Sequence, residues 1–340
     1  MAEPLRVGLV GAGFWASYQA AAWGELEGVR CVAVCDQDRP KAESLAKERG
    51  IKKVYADAAE LLKKEKPDVL DIITNAATHA PLVRLAVEKK TPVICQKPMS
   101  ASASECEELV GLCSSKKVPF SIHENWRWQA PLRRVKELLA AGAIGTPLRC
   151  RIDMITAYDV FANQPGLRDE ARFILADMGC HLFDLARSWF GEAESLHCLT
   201  RRVHADIKGE DLATALIAMG GVAVTVNLSY AGTPVERDCF PETLAFIEGE
   251  KGSIELVPGC RLRVTTAKGT EELQVPPTPY AWMNPKYAVV QSSMVPCLKD
   301  LLRALKTGSR AETDAADNLQ TMRLVFAAYR SATMGQAIQL

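Results

Sequence analysis

The sequence predicts an α/β protein of two parts. Up to about residue 122, short apolar strand-like runs alternate with amphipathic helical stretches, a pattern typical of a doubly wound parallel sheet covered on both faces. After residue 130 the strand-like runs alternate apolar with polar residues, which indicates an α+β domain with an open, mostly antiparallel sheet. We therefore predict a boundary between residues 1–124 and 125–340. The last two helices could pack back on the first domain.

The elements of the first part follow each other regularly. The strand candidates are Arg6–Val10, Val29–Asp36, Lys53–Tyr55, Val69–Thr74, Thr91–Cys95 and Pro119–Ile122. The helix candidates between them are Ala16–Gly24, Pro40–Gly50, Ala58–Lys64, Ala80–Lys89 and Ser102–Lys117. Ser102 followed by Glu105 is a capping signal for the start of the last of these helices.

The second part contains helices and hairpins. The helix candidates are Leu132–Ala141, Phe173–Phe190, Tyr287–Leu305 and Asp314–Met334. The strand candidates are Leu148–Met154, Ala213–Met219, Val222–Tyr230, Leu244–Glu248, Ser253–Val257, Arg261–Ala267 and Glu271–Val275. Gly220-Gly221 and Lys268-Gly269 are typical hairpin turns.

Composition excludes several classes of function. Apolar residues make up 48% of the 340 positions, so global disorder is excluded. Lysine plus arginine and aspartate plus glutamate number 41 each, which argues against a nucleic-acid or anionic-membrane partner. No apolar run approaches the length of a membrane span, and no signal peptide is evident. The 11 cysteines show no metal-ligand spacing, so we expect a cytoplasmic protein with no metal site.

A glycine turn indicates a dinucleotide site. Gly11 and Gly13 follow a strand and open a helix, and Ala16 takes the third motif position. Asp36 ends the next strand about 20 residues on, where an acidic side chain binds the adenine ribose. These features predict a Rossmann domain that binds NAD, with Phe14, Trp15 and Arg39 among the contacts. Because Arg39 and Lys41 could offset the repulsion between Asp36 and a 2′-phosphate, NADP stays possible.

Two segments supply candidate acids and bases. Lys97, after Gln96, follows an apolar strand, so it lies at the carboxyl edge of the sheet where ligands of such folds bind. Asp177, His181 and Asp184 are spaced so that a continuous α-helix would place them on roughly one face. A packed core histidine or a solvated loop lysine is the more common case for either residue taken singly.

Taken together, these motifs resemble the Gfo/Idh/MocA family of oxidoreductases, the relatives of glucose–fructose oxidoreductase and inositol dehydrogenase. The resemblance rests on the glycine turn and Asp36, and on the segments Ile73–His79, Gln96–Pro98, Asn125–Trp128, Asp177–Asp184 and Ile247–Ser253. The family usually has glutamate where this chain has Gln96. An amide can still bond a ribose hydroxyl, but it carries no charge to tune Lys97.

The resemblance implies roles for individual residues. His181 would take the proton of a substrate hydroxyl, Lys97 would hydrogen-bond its oxygen, and Asp177 would orient sugar and imidazole. Asp184 would be a structural partner. Further cofactor contacts would be Thr74, Asn75, His79, Gln96 and Asn125. Substrate contacts would be Trp126, Arg127, Tyr158, Arg168, Arg172 and Tyr280, together with Asp177 and His181.

The function we expect is an NAD(P)-dependent oxidoreductase that transfers a hydride between the nicotinamide and a hydroxyl carbon of a sugar, polyol or sugar derivative. The arginines Arg127, Arg168 and Arg172 hint at a carboxylated or phosphorylated sugar. Two alternatives stay open. One is a glycosidase that uses transient oxidation by NAD, and the other is a non-enzymatic sugar or redox sensor. By resemblance we also expect a homodimer or homotetramer.

Overall fold

The computed structural model describes residues 3–235 and 242–340 and divides the chain into two compact units. The first unit holds the residues up to Glu124 together with Met294–Met322, and the second holds Asn125–Ser293 and Arg323–Leu340. Residues 294–322, which the sequence analysis assigned to the second domain, thus belong to the first unit. Each of the two long C-terminal helices contributes residues to both units.

The first unit contains a six-stranded sheet in which every pairing is parallel, with the order β3-β2-β1-β4-β5-β6. Its strands are β1 (Leu5–Val10), β2 (Val29–Cys35), β3 (Lys53–Tyr55), β4 (Val69–Ile72), β5 (Val93–Gln96) and β6 (Phe120–His123). Its connecting helices are α1 (Phe14–Gly24), α2 (Arg39–Arg49), α3 (Ala58–Glu65), α4 (His79–Glu88) and α5 (Ala103–Lys116). The strand order reverses at β1 and β4, and ligands of open α/β sheets bind outside the carboxyl ends of the strands at such a point. The predicted doubly wound sheet is confirmed.

Side-chain caps start three of these helices. Asp38, Asp57 and Ser102 each accept a hydrogen bond from the backbone amide three residues on, which satisfies one donor of the first helical turn. The predicted cap at Ser102 is therefore present. Helix α1 differs, because Gly13 caps it with no side-chain hydrogen bond.

The second unit contains a nine-stranded sheet with the order β14-β13-β12-β11-β7-β10-β9-β8-β15. All its pairings are antiparallel except that of β7 with β10, so the predicted open and mostly antiparallel sheet is confirmed. The strands are β7 (Pro147–Ile155), β8 (Ala193–Arg201), β9 (Leu212–Met219), β10 (Val222–Ser229), β11 (Leu244–Gly249), β12 (Gly252–Val257), β13 (Arg261–Thr266), β14 (Gly269–Gln274) and β15 (Ile338–Gln339). Strands β8 and β15 were not predicted.

The remaining helices are α6 (Ala130–Ala140), α7 (Cys180–Phe190), α8 (Ala288–Thr307) and α9 (Ala315–Met334). The predicted helix Phe173–Phe190 is divided: a π-helical turn, Leu175–Gly179, precedes α7. Among the described residues, no helix is both long and apolar enough to cross a membrane.

The nine-stranded sheet has two different faces. Val224, Val226, Ile152 and Ile247 alternate along β10, β7 and β11 and are buried on one face, and α7 lies against β10. The register places His197, Leu216, Thr225, Arg151, Phe246 and Glu255 in one row across the other face. This second face is mixed in character, because exposed or half-buried apolar side chains stand beside charges.

Candidate active site

The glycine turn is shaped by steric contacts. Gly11 has φ +109°, and a Cβ on it would stand 2.2 Å from the carbonyl oxygen of Ile73, so no other residue fits there. A Cβ on Gly13 would meet nothing within 4 Å. The uncapped amides of α1 therefore have open space beside them, which is where a helix N-terminus binds a pyrophosphate. Phe14 and Trp15 open this helix with their rings in edge contact, 5.2 Å apart.

Asp36 connects the end of β2 to the glycine turn. One carboxylate oxygen accepts a hydrogen bond from the backbone amide of Ala12 at 2.7 Å, and the other accepts one from Asp38 at 2.8 Å. Each oxygen keeps a further lone pair, so the oriented carboxylate can still accept from ribose hydroxyls. The two cations nearby in sequence are engaged, since Arg39 pairs with Glu43 at 2.8 Å and Lys41 with Asp38 at 3.0 Å.

His79 connects the segments that follow β4 and β5. Its Nδ1 lies 2.9 Å from the carbonyl oxygen of Pro98, and its Nε2 lies 3.2 Å from that of Thr74. Burial lowers the pKa of His79. Both ring nitrogens thus contact backbone carbonyl groups, and the ring braces the turn that carries Lys97. The predicted contact of His79 with the cofactor stays a prediction. Thr74 is half-buried and Asn75 exposed, and the Lys97–Pro98 peptide bond is cis.

Asp177 and His181 lie in different kinds of helix. Asp177 lies in the π-helical turn, and His181 lies in the first turn of α7. Since a π turn contains more residues than an α turn, the shared-face argument from spacing holds only from His181 to Asp184. Trp126 stacks on the His181 ring, with centroids 4.2 Å apart and planes at 18°, and its Nε1 donates to Thr243 Oγ1 at 2.9 Å. The tryptophan, predicted as a substrate contact, is buried and fixes the plane of the imidazole.

Arg127 and Asn125 are committed to contacts within the second unit. Arg127 forms a buried, bidentate ion pair with Asp184, at 2.7 Å from Nε and 2.5 Å from Nη2. Asn125 Nδ2 donates to Ser293 Oγ at 2.8 Å. Arg127 thus holds α7 through Asp184, and Asn125 has a partner within the protein. The predicted contacts of Arg127 with the substrate and of Asn125 with the cofactor stay predictions. Asp184 has the structural role that was expected.

A glutamate that sequence reasoning missed secures the π-helical turn. The Glu210 carboxylate accepts from the backbone amides of Leu175 at 3.0 Å and Phe173 at 3.3 Å, and from the Tyr329 hydroxyl at 2.8 Å. The same hydroxyl accepts from the amide of Ala176 at 3.1 Å. A negative charge at a helix N-terminus is favourable, so Glu210 stabilises the segment that carries Asp177. No local pattern marks this residue, because its partners lie 35 to 119 positions away.

The other predicted substrate contacts are scattered over the second unit. The hydroxyls of Tyr158 and Tyr287 lie 2.7 Å apart, and burial raises the pKa of Tyr158 to about 12, so it stays protonated at neutral pH. Arg168 pairs with Asp206, and its guanidinium lies over a phenylalanine ring. Arg172 lies over the Tyr329 ring at 5.2 Å. Tyr280 stacks on a neighbouring tryptophan, with centroids 5.6 Å apart.

Comparison with known proteins settles the family. The family described as "Oxidoreductase family, NAD-binding Rossmann fold" matches residues 5–124, and the Gfo/Idh/MocA C-terminal domain matches residues 132–255. The chain belongs to the Gfo/Idh/MocA family. This confirms the expected oxidoreductase with an NAD-binding Rossmann domain.

Several relatives match over nearly their whole length. The chain is 37% identical to a D-apiose dehydrogenase of Paraburkholderia graminis over 98% of this chain and 88% of that protein. It is 38% identical to a D-apiose dehydrogenase of Rhizobium rhizogenes, over 99% and 97%. A solved oxidoreductase from Agrobacterium radiobacter, in complex with NAD+, L-tartaric acid and magnesium, is 38% identical with a TM-score of 0.96, covering 98% of each chain.

The ion pair of Arg127 yields a test of its structural role. Arg127→Met removes the bidentate partner of a buried carboxylate and should lower the free energy of unfolding by about 3–5 kcal/mol, as measured by urea denaturation. Arg127→Met with Asp184→Leu should recover much of that loss. Arg168→Met, at a solvent-exposed pair, is the control and should cost less than about 1 kcal/mol. If Arg127→Met is as stable as the wild type and has a raised KM, Arg127 contacts the substrate and the structural role is wrong.

Proposed function

We propose that the protein is an NAD-dependent dehydrogenase that oxidises a hydroxyl group of a small neutral sugar, with D-apiose the first candidate. The observation that carries the proposal is the full-length similarity to two D-apiose dehydrogenases at 37% and 38% identity. The engaged arginines support a neutral substrate. Arg127 and Arg168 are paired with Asp184 and Asp206, so an anionic group on the sugar would have to compete with carboxylates already in place.

The first unit fits the dinucleotide. The bare N-terminus of α1 and the open space at Gly13 suit a pyrophosphate, and Asp36 presents an oriented carboxylate to the ribose. When bound, NAD accepts the hydride removed from the sugar carbon. We assign the preference for NAD over NADP to Asp36, because a 2′-phosphate would meet its charge. Arg39 and Lys41 give little relief from that repulsion, since both pair with acidic side chains of their own.

The roles proposed for the catalytic residues follow the family resemblance. His181 accepts the proton of the sugar hydroxyl, which requires a neutral imidazole held in one orientation. Trp126 supplies that orientation by stacking, and Glu210 holds the preceding turn on which Asp177 orients the sugar. Lys97 hydrogen-bonds the reacting oxygen and stabilises the charge that develops on it.

We further propose that the protein works as a dimer or tetramer in the cytoplasm. The second face of the nine-stranded sheet, on which exposed apolar residues stand beside charges, includes Leu199 and Leu216, which are 60% and 54% exposed. Exposed apolar positions beside charges are typical of a surface that another subunit covers. The described cysteines form no disulfide, which agrees with a reducing compartment.

A substrate panel tests the proposed function. D-apiose, other neutral pentoses, polyols and sugar acids should be compared by the rate of NADH formation with NAD and with NADP. D-apiose and NAD should give the highest kcat/KM, and the sugar acids should be poor substrates. Asp36→Ser should reduce the preference for NAD. A glycosidase would instead release a sugar from a glycoside without accumulating NADH, and a sensor would turn over none of the compounds.

Variants of Lys97 and His181 test the proposed roles in proton transfer. Replacing a positioned acid or base should lower turnover by on the order of 10²–10⁴, so Lys97→Met and His181→Asn should lose kcat and still bind NADH in a fluorescence titration. Lys117→Met, at the end of α5, is a matched control that should keep wild-type turnover. Near-wild-type turnover of either single variant would withdraw that residue from the mechanism.

The proposed assembly is checked by sedimentation. Analytical ultracentrifugation at micromolar concentration should show a dimer or a larger species, and Leu216→Glu should shift it toward the monomer because it places a charge in an apolar position. A wild-type protein that sediments only as a monomer contradicts the proposal.

A further inference from the structure

A chain of buried polar side chains crosses the first unit and has no part in the glycine turn. It begins at Asp71 in the middle of β4, whose carboxylate is fully buried. Trp23 Nε1 donates to it at 2.7 Å, and Gln19 Nε2 lies 2.8 Å from both of its oxygens. Among the residues that the structure describes, no basic side chain forms an ion pair with Asp71.

The carboxylate sets the direction of every hydrogen bond that follows. Gln19 Nε2 donates to both carboxyl oxygens and Trp23 Nε1 donates to one of them, so Gln19 turns its NH₂ group to Asp71 and its carbonyl oxygen away. This direction is obligatory when Asp71 is ionised, because an ionised carboxylate only accepts. That oxygen accepts from Gln96 Nε2 at 2.5 Å, so Gln96 must also turn its NH₂ group inward. The same Nε2 lies 3.1 Å from His123 Nδ1, which therefore has to be an acceptor. The direction of the chain thus requires the Nε2–H tautomer of His123.

The carbonyl oxygen of Gln96 is directed away from Gln19 and His123. Gln96 is half-buried, the last residue of β5, and precedes Lys97. Its Oε1 has no hydrogen-bond partner among the residues with described structure, although both hydrogens of its NH₂ group are directed inward. An amide oxygen at the carboxyl end of a parallel strand can accept a hydrogen bond from a bound ligand.

We propose that Asp71 and Gln19 are positioning residues that fix the polarity of Gln96, so that its carbonyl oxygen is a neutral acceptor for a ligand hydroxyl. The hydroxyl belongs either to the ribose of the cofactor or to the sugar, and this part rests on the proposed function. The direction of the hydrogen bonds from Gln96 through Gln19 to Asp71 does not depend on the proposed function, because it follows from contacts within the first unit.

The contacts of Gln96 account for the amide at this position, where the family usually has a carboxylate. A carboxylate at position 96 would be repelled by the carbonyl oxygen of Gln19, and it would be repelled by the lone pair of His123 Nδ1 until the imidazole moved its proton to that nitrogen. Gln19 cannot relieve the repulsion by flipping its amide, because its oxygen would then face Asp71. A carboxylate at position 71 therefore requires a hydrogen-bond donor at position 96.

The tautomer of His123 gives a direct test on the protein without ligands. With ¹⁵N-labelled histidine at a pH of about 8.5, where Asp71 is ionised, Nδ1 of His123 should give the signal of an unprotonated nitrogen, and Gln96→Glu should move the proton to Nδ1. His123→Gln assigns the signal among the five histidines. An Nδ1–H tautomer in the wild type overturns the direction of the chain, whatever the substrate is.

A double variant tests whether the residue required at position 96 depends on the residue at position 71. Gln96→Glu alone should lower the urea midpoint of unfolding. Adding Asp71→Asn should raise it again, because an asparagine can accept from Trp23 and donate to Gln19, which then donates to the new carboxylate. Gln274→Glu, at an exposed position of β14, is the control for added charge and should combine additively with Asp71→Asn. A double variant no more stable than Gln96→Glu alone overturns the proposal.

Ligand binding tests the outward acceptor and identifies its partner. Asp71→Asn alone should reverse the chain and turn the NH₂ group of Gln96 outward, whereas the double variant again presents an acceptor. The affected ligand should therefore bind about tenfold more weakly to Asp71→Asn, equal to about 1.4 kcal/mol, and recover in the double variant. If the Kd of NADH follows this order, the partner is the ribose. If the KM of the sugar follows it, the partner is the sugar. If neither does, the acceptor role is wrong, even where the tautomer is as expected.

Discussion

The buried carboxylate of Asp71 is the constraint on which the organisation of the first unit depends. Burial raises its pKa to about 7, while the hydrogen bonds from Trp23 and Gln19 act in the opposite direction. A desolvated charge is tolerated only where donors are held rigidly around it. These donors come from α1, the helix that the glycine turn opens, so the charge fixes that helix against β4. Through Gln19 the same contact reaches Gln96 at the end of β5.

The second unit uses a buried carboxylate in a different way. Glu210 is surrounded by backbone amides at the start of a helix, so the helix dipole and the amide donors replace a basic partner. Asp184, in contrast, is neutralised by Arg127 in a bidentate ion pair. These two carboxylates hold the two ends of the segment that carries Asp177 and His181. This matters for proton transfer, because displacement of a base by about 1 Å can cost a factor of 10² in rate.

The sequence was most informative where local patterns decide the structure. Glycine and aspartate at fixed spacing predicted the dinucleotide turn, because steric and capping rules act over a few residues, as the contact of Gly11 with Ile73 illustrates. The doubly wound sheet followed from the alternation of strands and helices. Strand β8 was missed because its apolar positions, Leu196 and Cys198, alternate with polar residues over too short a run. The π-helical turn at Asp177 was missed because apolar periodicity does not distinguish it from an α-helix.

The contacts of the site residues also could not be predicted from local sequence patterns. The family motifs identified Trp126, Arg127 and His79 as site residues, but they did not predict the contacts that these side chains make within the protein. Those contacts depend on partners far along the chain, such as Asp184 for Arg127 and Thr243 for Trp126.

Gln96 is a further residue whose role depends on partners far along the chain. A change from carboxylate to amide within a motif looks like a loss of charge when the motif is read alone. Within the hydrogen-bonded series it is a consequence of the buried Asp71. Gln19 donates to Asp71 and turns its carbonyl oxygen to position 96, where a donor is therefore required. Asp71 in the core of the sheet therefore determines which side chain is suitable at position 96 on its edge. A substitution at position 96 is conservative only if every hydrogen bond between the two residues keeps its direction.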